Sequence, residues 1–138
     1  MRVPQRLDYA LRALVLLALQ PADEYIAAGD LADHLSLPRR FVEQQITELA
    51  RAGIVHCRRG AAGGCALARV STDVSVFDVV EAVQGEVLDV PHVTGSATTA
   101  LWSDAARELG AFLRTVSLAE LAQRQRELDG AAATMYWI

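Results

Sequence analysis

Residues 31–69 read LADHLSLPRRFVEQQITELARAGIVHCRRGAAGGCALAR, and the reading of this stretch decides the fold. Two short amphipathic segments flank a Ser36-Leu37-Pro38 turn. Gly53 stops the second segment. Two strand-like runs follow, around a glycine-containing tip that carries Arg58 and Arg59. Helix, tight turn, helix and hairpin is the order of a helix-turn-helix with a β-hairpin wing, a device that sets one helix into the DNA major groove.

Working outward, Leu7, Ala10, Leu11, Leu14, Leu17 and Ala18 recur at helical spacing. They predict a buried amphipathic helix over residues 5–20, ended by Pro21. Residues 25–27 suit a very short strand. Leu31, Ala32 and Leu35 make the apolar face of a second helix. Pro38 suits the first turn of a third, where its missing N–H is not needed. On that third helix Val42, Ile46, Leu49 and Ala50 are expected inward. Residues 54–58 and 65–69 are the expected wing strands.

Downstream, Ser75-x-x-Asp78 resembles a capping box for a fourth helix, with Val76, Val79, Val80 and Val83 in phase and Gly85 as its stop. Residues 86–100 show no period, and Pro91, Gly95 and a Ser/Thr cluster mark them as a loop. Trp102, Ala105, Ala106, Leu109, Phe112, Leu113 and Val116 then follow a helical period without a miss. Ser117-x-x-Glu120 opens a last helix. The chain ends in the apolar run Met135-Tyr136-Trp137-Ile138. The expected fold is mainly α, with residues 1–85 forming the winged helix-turn-helix and residues 86–138 the loop, a long helix and the final helix.

The composition is that of a chain with a substantial core: 52% of its 138 residues are hydrophobic. All 13 basic residues are arginine, and the formal net charge is −4. An acidic balance argues against indiscriminate nucleic-acid binding. The halves differ, however. Residues 1–70 carry 9 arginines against 7 acids, and residues 71–138 carry 4 against 10. Such asymmetry fits a DNA-facing first half and a second half held away from phosphate. No signal core precedes a cleavage site, and the apolar run at residues 13–19 is too short to span a bilayer, so a cytoplasmic, soluble protein is expected.

With Val42, Ile46 and Leu49 inward, the third helix turns Arg40, Gln44 and Thr47 outward, with Arg39, Phe41 and Glu43 at the edges. Arginine can bond guanine O6 and N7, glutamine adenine N6 and N7, and glutamate cytosine N4. A plain solvated face is the competing reading. Against it, two arginines at a helix N-terminus oppose the macrodipole, a cost that stability alone does not explain. On the wing, Arg58, Arg59 and Gly60 can approach a narrow minor groove or a phosphate. A nucleotide cradle is disfavoured, because no GK[ST] follows the glycines and no helix begins there.

Cys57 and Cys65 flank the wing tip symmetrically about Ala61. In a reducing compartment they are expected to rest as thiols. Two readings stay open. They are small apolar strand residues, or they are a facing pair that closes a disulfide under oxidant, with His56, Arg58 and Arg59 favouring the thiolate. An enzyme reading finds little support. His34, His56 and His92 are scattered, there is no HExxH or CxxC pattern, and Asp23-Glu24 lie in a turn region.

YALRALVLLAL, LPRRFVEQQITELARAGIV, RRGAAGGCALAR, VFDVVEAVQG, the Leu101-Trp102 pair and SLAEL occur colinearly over almost the whole chain. In these pieces the chain resembles the Rrf2 family of bacterial winged-helix regulators, whose members include sensors of iron–sulfur clusters, nitric oxide and cysteine metabolism. The resemblance implies a homodimer on double-stranded, palindromic operator DNA, acting as a repressor or activator. It also implies a long dimerisation helix, whose interface would be formed by Trp102, Ala105, Leu109, Phe112, Leu113 and Val116. The chain departs from the family at one place. Cluster-binding members carry three cysteines in the loop after the fourth helix, and residues 86–100 carry none. His92 alone cannot replace three thiolates. Asp8, near a position where some relatives recruit an acidic ligand, is then left to a local role. No cofactor is expected. The loop and the apolar tail are candidates to border an effector pocket of unknown ligand, with Trp102, Tyr136 and Trp137 as its possible lining. The runner-up is a winged-helix module that binds a protein or small ligand without DNA.

Overall fold

The computed structural model describes residues 1–136, with side chains through residue 133. Six α-helices and one two-stranded antiparallel sheet follow one another in these residues: α1 (Gln5–Ala18), α2 (Ala28–Leu35), α3 (Arg39–Arg51), β1 (Val55–Arg58), β2 (Gly64–Leu67), α4 (Val76–Gln84), α5 (Ala97–Arg114) and α6 (Leu118–Tyr136). The fold is mainly α with a hairpin wing, as the sequence indicates. Trp137 and Ile138, and the side chains of Met135 and Tyr136, lie outside the described residues, and so does any part they play in a pocket.

α1 is the central helix. Leu7, Ala10, Ala13, Leu14 and Leu17 are buried, and α2, α3, α4 and α6 all pack against it. It ends with the period at Ala18, two residues short of the expected bound at residue 20, because Gln20 N–H bonds Leu17 C=O in a tighter turn that leads into Pro21. The turn between α2 and α3 is made by Ser36 in the left-handed region (φ 55°), with Leu37 N–H closing on Ala32 C=O at 2.9 Å. Pro38 caps α3 from outside its first turn, where its carbonyl accepts from Phe41 and Val42.

α3 buries Val42, Gln45, Ile46 and Leu49. Ala50, expected inward, is exposed, and Gln45 takes the buried edge instead. At 3.6 residues per turn Ala50 stands about 80° round from Val42, whereas Gln45 stands about 60° away on the other side. Gly53, at φ 74°, ends the helix. Its N–H bonds Ala50 C=O and the Ile54 N–H bonds Leu49 C=O, the two bonds of a left-handed C-cap.

In the wing Val55 pairs with Leu67, His56 with Ala66, Cys57 with Cys65 and Arg58 with Gly64. The short strand expected at residues 25–27 is there as a single bridge. Ile26 and Cys65 exchange both backbone bonds, at 2.9 and 2.7 Å. Gly64 makes that approach possible. It sits at φ 140°, and a Cβ there would come within 2.5 Å of the Ile26 carbonyl carbon.

The capping box of α4 is complete: Asp78 N–H donates to Ser75 Oγ and Ser75 N–H to the Asp78 carboxylate. Gly85, at φ 80°, stops the helix. The following loop is shorter than the sequence suggests. Residues 97–100 form the first turn of α5 behind Ser96, and Thr99 Oγ1 ties that turn back to Pro91 C=O at 2.9 Å. Ser and Thr favour helix N-termini as strongly as loops, so their cluster alone did not separate the two. Val116 also falls outside its expected place. It lies past the end of α5 and is 6% exposed in the subunit's own core, rather than on an outward stripe. Its carbonyl accepts from Val76 N–H, and Leu118 N–H donates to Val74 C=O. This bridge between Ser75 and Ser117 brings the starts of α4 and α6 together.

Candidate nucleic-acid interface

The exposed face of α3 carries Arg39, Arg40, Phe41, Glu43, Gln44 and Thr47. Three of these are committed within the face. Arg39 Nε donates to Glu43 Oε1 at 2.9 Å, and Thr47 Oγ1 donates to the Glu43 carbonyl at 2.9 Å. Phe41 leans on α1, its ring edge-on to Tyr9 at 5.7 Å. Arg40 and Gln44, one turn apart, make no hydrogen bond or ion pair among the described residues. They are the two α3 side chains free to bond a base edge. The Arg39–Glu43 pair leaves Glu43 less available for cytosine than its position alone implies.

Most arginines elsewhere are occupied. Arg12 pairs with Asp8 at 3.1 Å, Arg51 with Glu48, Arg107 with Asp104 and Arg124 with Glu120. Arg69 donates to Asp73 C=O at 2.6 Å and tethers the end of the wing to the start of α4. Among the described residues Arg2, Arg6, Arg40 and Arg59 have no partner, and all four lie in the first sixty residues. The unpaired positive charge is therefore concentrated on the helix-turn-helix and wing half, although the whole chain is acidic.

The wing holds its two arginines differently. Arg59 stands free beside Gly60 at the tip. Arg58 lies over the Tyr25 ring, its guanidinium 4.2 Å from the centroid, and the same ring meets His56 edge-on at 5.7 Å. Sequence reasoning did not single out Tyr25. The only signal was an aromatic residue directly before the single-bridge Ile26. At the root of the tip Cys57 and Cys65 are joined in a disulfide, rather than resting as two thiols. Their Cα atoms are 4.2 Å apart. Cys65 turns its N–H and C=O toward Ile26, so Cys57 and Cys65 form the closer, non-hydrogen-bonded class of antiparallel pair.

The outer face of α5 carries Leu101, Trp102, Leu109 and Phe112, with Leu101 57% and Phe112 58% exposed. Ala105 is half-buried between them, and Leu113 turns toward the core. The opposite face packs on α4, where Gly110 meets Phe77 and Arg114 lies over the Phe77 ring at 3.8 Å. Between α4, the loop and α5 is a cleft of about 430 Å³, lined by Phe77, Val87, His92, Arg107 and Gly110 among others. Trp102, a candidate for such a lining, is not part of it.

The residues present do not fit an iron–sulfur cluster. Both thiols of the chain are joined to each other in the wing, Asp8 is paired with Arg12, and His92 stands without a second donor of its kind. Among the described residues no three His, Cys, Asp or Glu side chains converge. No described helix is long and apolar enough to cross a membrane.

The profile of the Rrf2 family, described as iron-dependent transcriptional regulators, matches residues 3–124. A Mycobacterium tuberculosis protein described as an HTH-type transcriptional regulator is 33% identical over 122 residues, covering 84% of this chain and 75% of that protein. The HTH-type transcriptional regulator IscR of Xenorhabdus nematophila is 29% identical over 140 residues, covering 95% and 85%. Among solved structures, the Bacillus subtilis global cysteine regulator CymR superposes with a TM-score of 0.81 at 22% identity, over 90% of this chain and 98% of that one. T. potens IscR superposes with a TM-score of 0.80 at 26% identity, over 93% and 90%. With the profile spanning residues 3–124, the chain belongs to the Rrf2 family, as a DNA-binding transcriptional regulator and not an enzyme.

Proposed function

We propose that the protein is a homodimeric repressor that occupies a palindromic operator in the bacterial cytoplasm, without an iron–sulfur cluster. The observation that carries this reading is the pair Arg40 and Gln44, unpaired and one turn apart on the exposed face of α3, next in sequence to a wing with a free Arg59. Arg40 and Gln44 read base edges, with Glu43 and Thr47 beside them, and Arg39 and Phe41 brace the helix. Arg58, Arg59 and Gly60 meet the sugar-phosphate backbone. Residues 1–85 form the DNA-binding unit, and residues 86–138 the dimerisation unit. The outer face of α5, with Trp102, Ala105, Leu109 and Phe112, packs on the same face of a second copy, because an apolar stripe of this size is unfavourable in water. The two-fold axis then fixes half-sites about one helical turn, or a multiple of it, apart. A bound dimer hides the promoter beneath it and needs no further contact to block transcription.

Selection from randomised duplexes tests this. The protein should enrich an inverted repeat, and its affinity for that duplex should fall steeply between low and physiological salt as condensed counterions are released. Failure to enrich any duplex, or affinity indifferent to salt, would sink the reading.

A further inference from the structure

We infer that the Cys57–Cys65 disulfide is a reversible thiol switch that sets the DNA affinity of the wing, an inference that rests on the DNA-binding reading above and names its regulation. Three observations carry it. First, the register places the two cysteines opposite each other as a non-hydrogen-bonded pair with Cα atoms 4.2 Å apart, so the strand pairing itself brings the two side chains together. Second, the two cysteines differ in exposure. Cys57 is exposed on β1, whereas Cys65 is 5% exposed and backed by Ile26. Third, the bond closes a ring around residues 58–64, which include Arg58, Arg59 and Gly60. A protein that works on bacterial DNA sits among reducing thiols, where a disulfide that includes an exposed cysteine is a transient state and not a structural staple.

The difference in access orders the chemistry. The Cys57 thiolate attacks a hydroperoxide oxygen, becomes a sulfenic acid and releases the alcohol, or water when the oxidant is hydrogen peroxide. The Cys65 thiolate then attacks Cys57 Sγ, forming the S–S bond and expelling the sulfenic oxygen as water. Two thiols lose two electrons, and their two protons leave in the products. In reverse, a low-molecular-weight thiol attacks Sγ of the exposed Cys57 and frees Cys65. A second such thiol resolves the mixed disulfide, leaving two protein thiols and one small disulfide.

The sense of the switch follows from the ring. With the bond closed, the tip is fixed on the Ile26 bridge, and Arg58 is fixed over Tyr25 before DNA arrives. With it open, binding must order the tip. The oxidised protein is therefore the tighter binder.

The test uses the full chain, hydrogen peroxide, dithiothreitol and the duplex enriched by selection. Peroxide should take the count of dye-reactive thiols from two to none and tighten binding about three- to tenfold, and dithiothreitol should reverse both changes. Cys57→Ser, at an exposed position, should keep the reduced-form affinity and ignore peroxide. Two thiols surviving peroxide, affinity equal or higher in the reduced protein, or a Cys57→Ser variant that still responds, would each overturn the inference. If neither redox form enriches a duplex, the DNA-binding reading fails. Amide exchange then judges the switch: protection of residues 58–64 should rise on oxidation, and identical exchange overturns it.

Discussion

Single side chains divide the candidate interface into those that specify and those that hold. Arg40 and Gln44 have no partner among the described residues, so the cost of replacing them falls on the complex. Arg40→Ala and Gln44→Ala should each lose about 1–3 kcal/mol of operator binding and relax the sequence preference at one position per half-site. Arg59→Ala should weaken binding to all duplexes evenly and lower the salt slope by about one for each wing that loses its phosphate contact. Unchanged affinities in a fluorescence anisotropy titration of all three would remove α3 and the wing from the interface. Gln45 poses a separate residue-scale question. Its amide is buried on α3 and Oε1 has no hydrogen-bond partner among the described residues, a cost of about 1–3 kcal/mol. Gln45→Met keeps the shape and removes the polar atom, so thermal unfolding should shift upward. A lower Tm would mean that the amide makes a contact that the fold depends on.

The helices and the hairpin were largely legible in the sequence, because their signals are local. The Ser75–Asp78 box, the Gly53 and Gly85 stops and the period of α1 each rest on residues within one or two turns. Ser75→Ala should cost about 1 kcal/mol of stability by loss of the cap, measured as a lower denaturant midpoint at unchanged slope. What failed locally needed a third element. Val116 matched the period of α5 but is claimed by the bridge to Val76. Ala50 and Gln45 exchange places because core geometry outweighs side-chain polarity at the edge of a stripe. The Ser/Thr cluster at 96–99 became a helix start because Thr99 could reach Pro91. Tyr25 escaped notice because its role depends on the hairpin, thirty residues later, folding back over it. The same close approach makes Gly64 hard to replace. Gly64→Ala should break the Ile26 bridge and leave the hairpin amides unprotected in hydrogen exchange, while α1 and α3 keep their protection. Uniform protection throughout would show that the bridge tolerates a side chain.

At the scale of the whole molecule, the candidate site was legible only in outline. The opposing charge of the two halves pointed to the half proposed to face DNA, but which arginines are free depended on pairings that only the fold decides. The outer face of α5 supplies the test of assembly. Leu109 is partly exposed in the single chain, so Leu109→Glu should leave the subunit folded by circular dichroism. It should still split the dimer, since a carboxylate buried unpaired costs several kcal/mol and a two-fold interface counts it twice. Operator affinity should then fall with every DNA-facing residue intact. A variant that sediments as a dimer and binds normally would place the subunit contact elsewhere.

The bridge between Ser75 and Ser117 gives the proposed assembly a mechanical property. Its two backbone bonds pin both ends of the segment that runs from α4 through the loop to the end of α5. A segment pinned at both ends cannot swing as a free arm. Any displacement of α5 by a second copy on its outer face would have to be absorbed within the segment, between Gly85 and Ser96, or else be delivered through the pin to Val74 and Val76. The span that α5 can tilt without disturbing the helix-turn-helix and wing half is thus set by the slack of that short loop. Shortening it would turn a compliant joint into a rigid strut between dimer contact and core.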